Sequence, residues 1–477
     1  MIRTAFFIPA LLACGLTAVV GPMSAPPAAA QPARTGAAEL VPQYARTTLA
    51  NGLTLLLLEQ HEVPIINFEM VFRAGSIADP AGKEGLADAT MAMLRKGTAK
   101  YTSEQLAEEL DFLGAQLKLS ASHERCTLSA QCLSKDVDAG LALIADLLLR
   151  PKFDAAELQK LISLDLDGLR DLKDTPRAVV GQYYDAYLFG SHPFARPVGG
   201  TETSLPKITR DDVVGYAQTH LRPGNAMLAI AGDFNADAMR GKIESALGSW
   251  PRGDAKQTAV AEATPKPVKG RRVLLVDKPD ATQSYFRIGN VGVAKGNPDD
   301  PALEVVNTVF GGRFTSWLMT ELRTKSGLSY NAHSAFVQRR VPGSFYISSF
   351  TRVDDTQKAV DMALSILERL HTQGLSEAEL ASAKNYIRGQ FPPDFESPGQ
   401  LVSAIADLEF FGLDRAFVND RTQRTDAVSA ADAKRVIGLH YPRKDLTTVL
   451  VGQAAKIRKF AGKYGVVTEK SLSAPGF

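Results

Sequence analysis

Cysteine is scarce in this chain, with three in 477 residues. A disulfide framework is therefore excluded as the source of its stability. Neither sign of charge dominates: 54 basic side chains stand against 52 acidic ones, for a formal net charge of +2. That balance carries no signal for nucleic acid or for an anionic membrane surface. The histidines are few and scattered. His61, His123, His192, His220, His333, His371 and His440 include no pair at metal-ligand spacing. Beyond the first residues no run is apolar enough to span a bilayer. No glycine-rich phosphate loop, nucleophile elbow or Cys/His pair stands out either. What is present is ordinary globular material, 45% hydrophobic and 22% charged, long enough for two or more domains.

The N-terminus has a distinct pattern. Arg3 precedes an apolar run from Ala5 to Val20, interrupted by Pro9 and Gly15, and a Pro/Ala-rich stretch ends at Ala28-Ala29-Ala30-Gln31. A basic start, a short apolar core and an A-x-A site predict a secretory signal peptide over residues 1–30, and hence an exported, periplasmic protein. A retained anchor is the competing reading. Leu11-Leu12-Ala13-Cys14 also partly resembles a lipoprotein signal. After cleavage only Cys126 and Cys132 remain. They lie along one alternating, strand-like stretch, about 20 Å apart and beyond disulfide reach, which predicts two buried thiols.

The chain repeats itself. Asp154-Ala-Ala-Glu157-Leu158 recurs as Ser376-Glu-Ala-Glu379-Leu380, 222 residues on. Both read as capping boxes that open helices. The same offset carries Thr175-Pro176 to Ser397-Pro398, a helix start, and Phe189-Gly190 to Phe411-Gly412, a helix end. Thr209 and Asp212 match Ser429 and Asp432. Each pair leads through a helical pattern to His220 or His440, then Pro223 or Pro442, then a strand, Ala226–Ala231 or Leu446–Val451. The pattern predicts two homologous domains, residues 40–250 and 271–466, joined by a Pro/Lys/Ala/Thr-rich linker at 251–270. Each half opens with strands and continues with helix pairs. The expected class is α+β, each domain a mainly antiparallel sheet packed with helices.

In the first half, Gly85-Leu-Ala-Asp88-Ala-Thr-Met91-Ala92 runs on to Lys96-Gly97-Thr98. In the second, Val309-Phe310-Gly311-Gly312-Arg313-Phe314 leads to Trp317, then to Leu322-Arg323, Gly327-Leu328 and Tyr330. Both segments resemble the signatures of the pitrilysin and mitochondrial-processing-peptidase family, and the resemblance extends from about Gln43 to Lys463. That family carries an inverted zinc motif, His-x-x-Glu-His. Two imidazoles at i and i+4 hold zinc on one helix face, and the intervening Glu is the general base. Here the three positions hold Asp88, Met91 and Ala92. The family's third ligand, a Glu on a later helix, falls near Gly168, with Asp165 and Asp167 beside it. The essential metal and base positions are substituted, so the chain by itself is expected to bind no zinc.

The second signature keeps its Arg and Tyr. Residues Phe314 to Lys325 have helical apolar spacing, Gly327 reads as the C-cap, and Leu328 to Phe336 as the next strand, with Tyr330 at its start. A guanidinium can hold a carbonyl or carboxylate, and a phenol can donate to a developing oxyanion. On the residues alone, Arg323 could instead cap its helix and Tyr330 fill a core. The resemblance implies that the pair reaches a peptidase active site across a clam-shell chamber of which this chain forms half. It also implies that Gly311, Gly312 and Leu328 help bind substrate.

These features predict the non-catalytic, peptide-binding subunit of a heterodimer whose homologous partner carries the zinc. Peptides would add as a strand to a sheet edge, for which Ala115–Ser120 is the candidate. The alternative is a peptidase-like scaffold without a catalytic role. The leader reading is directly testable: N-terminal sequencing of the protein from its own cells should begin at Gln31, and a mature chain that keeps Met1 would refute it.

Overall fold

The computed structural model describes residues 39–253 and 264–477. The expected leader at 1–30 and the middle of the expected linker lie outside the described residues. No described helix is long and apolar enough to cross a membrane.

The first half builds a six-stranded sheet from β1 (Ala45–Thr48), β2 (Thr54–Glu59), β3 (Ile65–Phe72), β4 (Gln116–Ala121), β5 (Cys126–Leu133) and β6 (Ala226–Gly232), in the order β1-β2-β6-β3-β5-β4. The second half builds another from β7 (Arg271–Asp277), β8 (Gln283–Val291), β9 (Ala332–Val337), β10 (Ser344–Arg352), β11 (Leu446–Gly452) and β12 (Val466–Ser471), in the order β12-β7-β11-β8-β10-β9. Five strands therefore repeat in the same spatial order. The sixth differs: β1 joins β2 antiparallel, whereas β12 joins β7 parallel. The β2–β6 and β7–β11 pairs are also parallel, so both sheets are mixed, with antiparallel pairing in the majority.

The helices of the first half are α1 (Leu86–Leu94), α2 (Ser103–Phe112), α3 (Val137–Leu149), α4 (Ala155–Asp174), α5 (Pro176–Phe189), α6 (Arg210–His220) and α7 (Ala236–Leu247). Those of the second are α8 (Asp300–Asn307), α9 (Trp317–Met319), α10 (Thr356–Gln373), α11 (Glu377–Gln390), α12 (Pro398–Phe411), α13 (Ala416–Asn419), α14 (Arg421–Asp426), α15 (Ala430–His440) and α16 (Ala454–Ala461). The repeated caps are where the sequence puts them. Ser376, Ser397, Thr209 and Ser429 each close a full capping box. Asp154 closes only half of one. It accepts from the backbone of Ala156 and Glu157, but the Glu157 carboxylate turns outward to Lys160 at 2.7 Å. Gly190 and Gly412 end α5 and α12 with φ of 57° and 68°, a region open to glycine at no steric cost.

Strand periodicity decides what each sheet face meets. Leu55 and Leu57 of β2 face the first half's own helices, in one core with Phe68, Met70, Leu228 and Ile230. Leu56 and Leu58 point the other way, with Val71, Met227 and Ala229, and what covers them is Leu401, Ile405 and Leu408 of α12, a helix of the second half. The second sheet mirrors this arrangement. Leu275, Phe286 and Ile347 face their own helices. Leu274, Val276, Val449 and Val451 are covered by Val179, Val180, Tyr183 and Tyr184 of α5, a helix of the first half. The run Leu-Leu-Leu-Leu in β2 is apolar throughout because both faces are buried.

Polar contacts fix the register of the exchanged helices. The Tyr184 hydroxyl donates to the Phe345 carbonyl at 2.8 Å. Arg272 lies over the Tyr187 ring and donates to the Leu188 carbonyl at 3.2 Å, at the negative end of α5. On the other side, Arg46 grips Glu409 of α12 with two bonds of 2.9 Å, and Arg73 donates to the Glu409 carbonyl at 3.2 Å. Cys126 and Cys132 are buried free thiols, as expected. Burial pushes them up to about 12 and about 11, which leaves both inert.

Because each half supplies one layer of the other, the two should unfold together. Denaturant melts followed by two spectroscopic probes should coincide, and two separated transitions would refute the exchange. Ile405→Ala, at a site with no exposure, should cost about 2–5 kcal/mol. Phe112→Ala, at 85% exposure, should stay within about 0.5 kcal/mol, both read as shifts in urea midpoint.

Candidate functional site

The helical segment that carries Arg323 starts at Ser316, whose hydroxyl accepts from the Met319 amide. Leu318 and Leu322 are fully buried and anchor it. The Trp317 indole donates to Glu379 at 2.7 Å, and the Arg369 guanidinium lies 4.0 Å over its ring. The backbone is α-helical for α9 only and takes π-type bonding over Thr320–Lys325, the turn that bears Arg323. π turns are uncommon and widen the helix locally. The segment ends with Gly327 donating to the Arg323 carbonyl at 3.1 Å.

The strand expected from Leu328 begins later, at Ala332. Residues 328–331 form a strapped loop, because side chains take up its backbone groups before a ladder can. Ser329 and Ser349 both donate to the Asn331 carbonyl, at 2.7 and 2.8 Å, and Thr351 donates to the Leu328 carbonyl at 2.6 Å. Tyr330 is therefore a loop residue, held at its backbone and exposed at its ring by 72%. It fills no core. Its ring lies 4.4 Å from the Arg323 guanidinium carbon. On the guanidinium's other contact is Phe314, at 4.6 Å and 67% exposed. The Arg323 side chain has no hydrogen bond or ion pair among the described residues, so its N–H groups are left for solvent or ligand.

The three other expected site residues separate. Gly312 is exposed, and Leu328 is half-buried against the second core. Gly311 is buried. A Cβ there would stand 2.3 Å from the Ser334 hydroxyl and 2.7 Å from Leu318. Its work is to let the chain pass close to β9, and its burial keeps it from touching a substrate directly. Phe314 was not among the sequence candidates. The sequence spacing places it at the start of a helix over Phe314 to Lys325, but the helix begins only at Trp317, and Phe314 lies in the turn before it.

The zinc-motif segment folds as α1. Asp88 is half-buried and is held by the Ala121 backbone; burial raises its carboxyl. Met91 has no exposure and is part of the first core, and Ala92 offers no donor. Gly168 on α4 is exposed, with nothing near its missing Cβ. The residue that feels Asp88 is Asp165, one turn earlier, raised to about 6 by burial first and the Asp88 charge second. Asp167 turns outward to Arg170 at 2.6 Å. Two aspartates without an imidazole beside them are a poor donor set for zinc, and no group of three His, Cys, Asp or Glu converges among the described residues. The side chains at these positions do not fit zinc.

The histidines serve local structure. His61 bonds Asp233 at 2.8 Å on the surface. His123 is half-buried against Phe194 and pushed down to about 3 by desolvation. His220 and His440 each end a repeated helix but have different surroundings: His440 bonds Asp299 at 2.7 Å, while His220 lies against the Tyr216 ring. The edge strand expected at Ala115–Ser120 is β4, Gln116–Ala121, which pairs only with β5 and ends its sheet.

Comparison with known proteins agrees with the repeat. The family described as insulinase, peptidase family M16, matches residues 55–202, and the peptidase M16 inactive domain matches residues 207–387. An uncharacterized zinc protease of Mycobacterium leprae is 28% identical over 367 residues, 76% of this chain and 82% of that protein. One from Bacillus subtilis is 24% identical over 358 residues, 75% of this chain and 86% of its own. Among solved structures, a peptidase M16 inactive domain from Pseudomonas fluorescens aligns with a TM-score of 0.81 at 23% identity, covering 86% of this chain and 98% of that one. A protease from Helicobacter pylori aligns at 0.79 and 20% identity, covering 86% and 100%. With two matched domains in tandem, a repeated sheet and a substituted metal helix, the chain belongs to peptidase family M16.

Proposed function

We propose that this chain is the non-catalytic, substrate-binding subunit of a heterodimeric zinc metallopeptidase, acting in the periplasm after export. The observation that carries the reading is the presentation of Arg323 and Tyr330. They form an exposed stack on a pinned turn and loop, with the guanidinium unpaired among the described residues. Its neighbours are aromatic rings, which leave the N–H edge open. A chain with neither zinc ligands nor general base has no use of its own for such a pair, whereas a partner's active site does.

Zinc bound in a homologous partner would activate water and polarise the scissile carbonyl. This chain's contribution is orientation and charge. Arg323 holds a peptide carbonyl or carboxylate through its N–H edge. The Tyr330 phenol donates a hydrogen bond to oxygen that gains charge as the peptide bond is attacked. β4 ends its sheet, and apart from the Leu117 carbonyl taken by Arg95 and the Ala121 backbone taken by Asp88 its edge offers main-chain groups on which an extended peptide can add as a strand. Met91 packs in the core of the first domain at a position where the family's motif has its general base.

Tagged chain purified from its own cells should bring down a homologous chain bearing His-x-x-Glu-His and zinc. The pair should hydrolyse unfolded peptides in a chelator-sensitive way, and neither chain should do so separately. Tyr330→Phe should lower turnover on the order of 10²-fold without reducing the amount of partner recovered. A zinc-free, inactive preparation without such a partner would overturn the proposal in favour of a scaffold.

A further inference from the structure

The guanidinium of Arg323 is covered by two rings, and only one of them belongs to the expected pair. Phe314 lies 4.6 Å from the guanidinium carbon and Tyr330 lies 4.4 Å from it. Both rings are largely exposed, at 67% and 72%, among few large hydrophobic side chains that are. Phe314 precedes the helical segment, Arg323 sits in its π turn, and Tyr330 follows it in the strapped loop. Three separate pieces of backbone thus converge on one cation. An exposed phenylalanine is costly to keep in water and here buries little for the core. What it covers is the arginine.

Stacking has a directional consequence. A guanidinium is flat, with all five N–H groups in its plane. Two rings lie within stacking distance of it and no protein acceptor takes its N–H groups among the described residues, so the N–H edge is what remains for recognition. An edge-on fork matches the two oxygens of a carboxylate better than a single carbonyl oxygen. Neutralising charge does not come from nearby acids. Glu321, in the same turn, is engaged by Lys325 at 2.9 Å and by Arg369 at 3.7 Å. Glu379 accepts from Trp317 at 2.7 Å. The rings also give the rim of the site an apolar surface.

We propose that Phe314 is a positioning residue for Arg323, and that the Phe314–Arg323–Tyr330 stack selects peptides presenting a carboxylate, C-terminal or acidic, next to an apolar side chain. The proposal rests on the reading of Arg323 and Tyr330 as substrate-facing. Phe314 acts through the arginine. It restricts the guanidinium to one plane, so less rotational freedom is lost when the fork engages.

The test uses the full mature chain and two fluorescein-labelled peptides, Leu-Leu-Phe with a free C-terminal carboxylate and the same peptide as its amide. Anisotropy titrations give both affinities for the wild type and for Phe314→Ala, Phe314→Tyr and Arg323→Ala. The wild type should prefer the carboxylate about fivefold to tenfold. Phe314→Ala should weaken carboxylate binding about threefold to fivefold, and Phe314→Tyr should restore it. The Arg323 side-chain Nε–H signal in nitrogen NMR should lose order in Phe314→Ala and keep it in Phe314→Tyr. Thermal midpoints should be unchanged, since the ring is outside the core. Arg323→Ala binding both peptides as the wild type does would sink the substrate-facing reading itself. Loss of binding in Arg323→Ala, with affinity and Nε–H order unchanged in Phe314→Ala, would overturn the role of Phe314 alone. Equal affinity of the wild type for acid and amide would overturn the carboxylate preference.

Discussion

The exchange of α5 and α12 is the contact on which the rest of this structure depends. Each sheet is apolar on both faces, and each half has helices enough for only one of them. Leu56, Leu58 and Met227 would lie bare without Leu401, Ile405 and Leu408, and Leu274, Val276 and Val449 would lie bare without Val179, Val180 and Tyr184. Fully burying such side chains contributes about 1.5–3 kcal/mol each, so either half alone would lose the stabilisation of one whole sheet face. The duplication did not produce two beads on a string. It produced two sheets locked face to helix, and this sets where the second-half turn with Arg323 is held.

Rigidity at that turn has a local source as well. Ser329, Ser349 and Thr351 strap the loop of Tyr330 to β10, and Leu318 and Leu322 root the helical segment in the second core. The backbone is fixed while the side chains of Phe314, Arg323 and Tyr330 remain at the surface. This is the arrangement a binding group requires, with surface side chains on a stiff support. The segment that aligns with the family's zinc motif shows the opposite outcome. Met91 has been absorbed into the core, and Asp88 and Asp165 retain protons more readily than ordinary carboxylates because burial disfavours their charge. α1 contributes packing, while the segment with Arg323, in the other half, presents a polar group at the surface.

Much of the fold was legible because its signals are local. Caps such as Ser376 with Glu379 and Ser397 with Gln400 act over one helical turn, so they read the same in any tertiary setting. Strand alternation and the spacing between repeats are also written along the chain. The site was legible in part. Arg323 and Tyr330 stand in a recognisable order, but the delay of β9 to Ala332 was not visible, because it depends on Ser349 and Thr351 from another strand. The Glu157 half of a capping box was lost to Lys160 for a similar reason, a competing partner that a local motif does not include.

What the sequence determined by itself is the duplicated α+β plan, the thiols too far apart along one strand to pair, and the substitution of every zinc-motif position. These follow from residue identity and from periodicities of two and 3.6, which need no partner. What only the tertiary structure decided is which sheet each repeated helix covers, that Asp165 and not Gly168 shares the field of Asp88, and that Phe314 lies against Arg323. Each of those is a contact between segments far apart in the chain or across an irregular turn. Such contacts are set by the packing of the whole, and no spacing along the sequence records them.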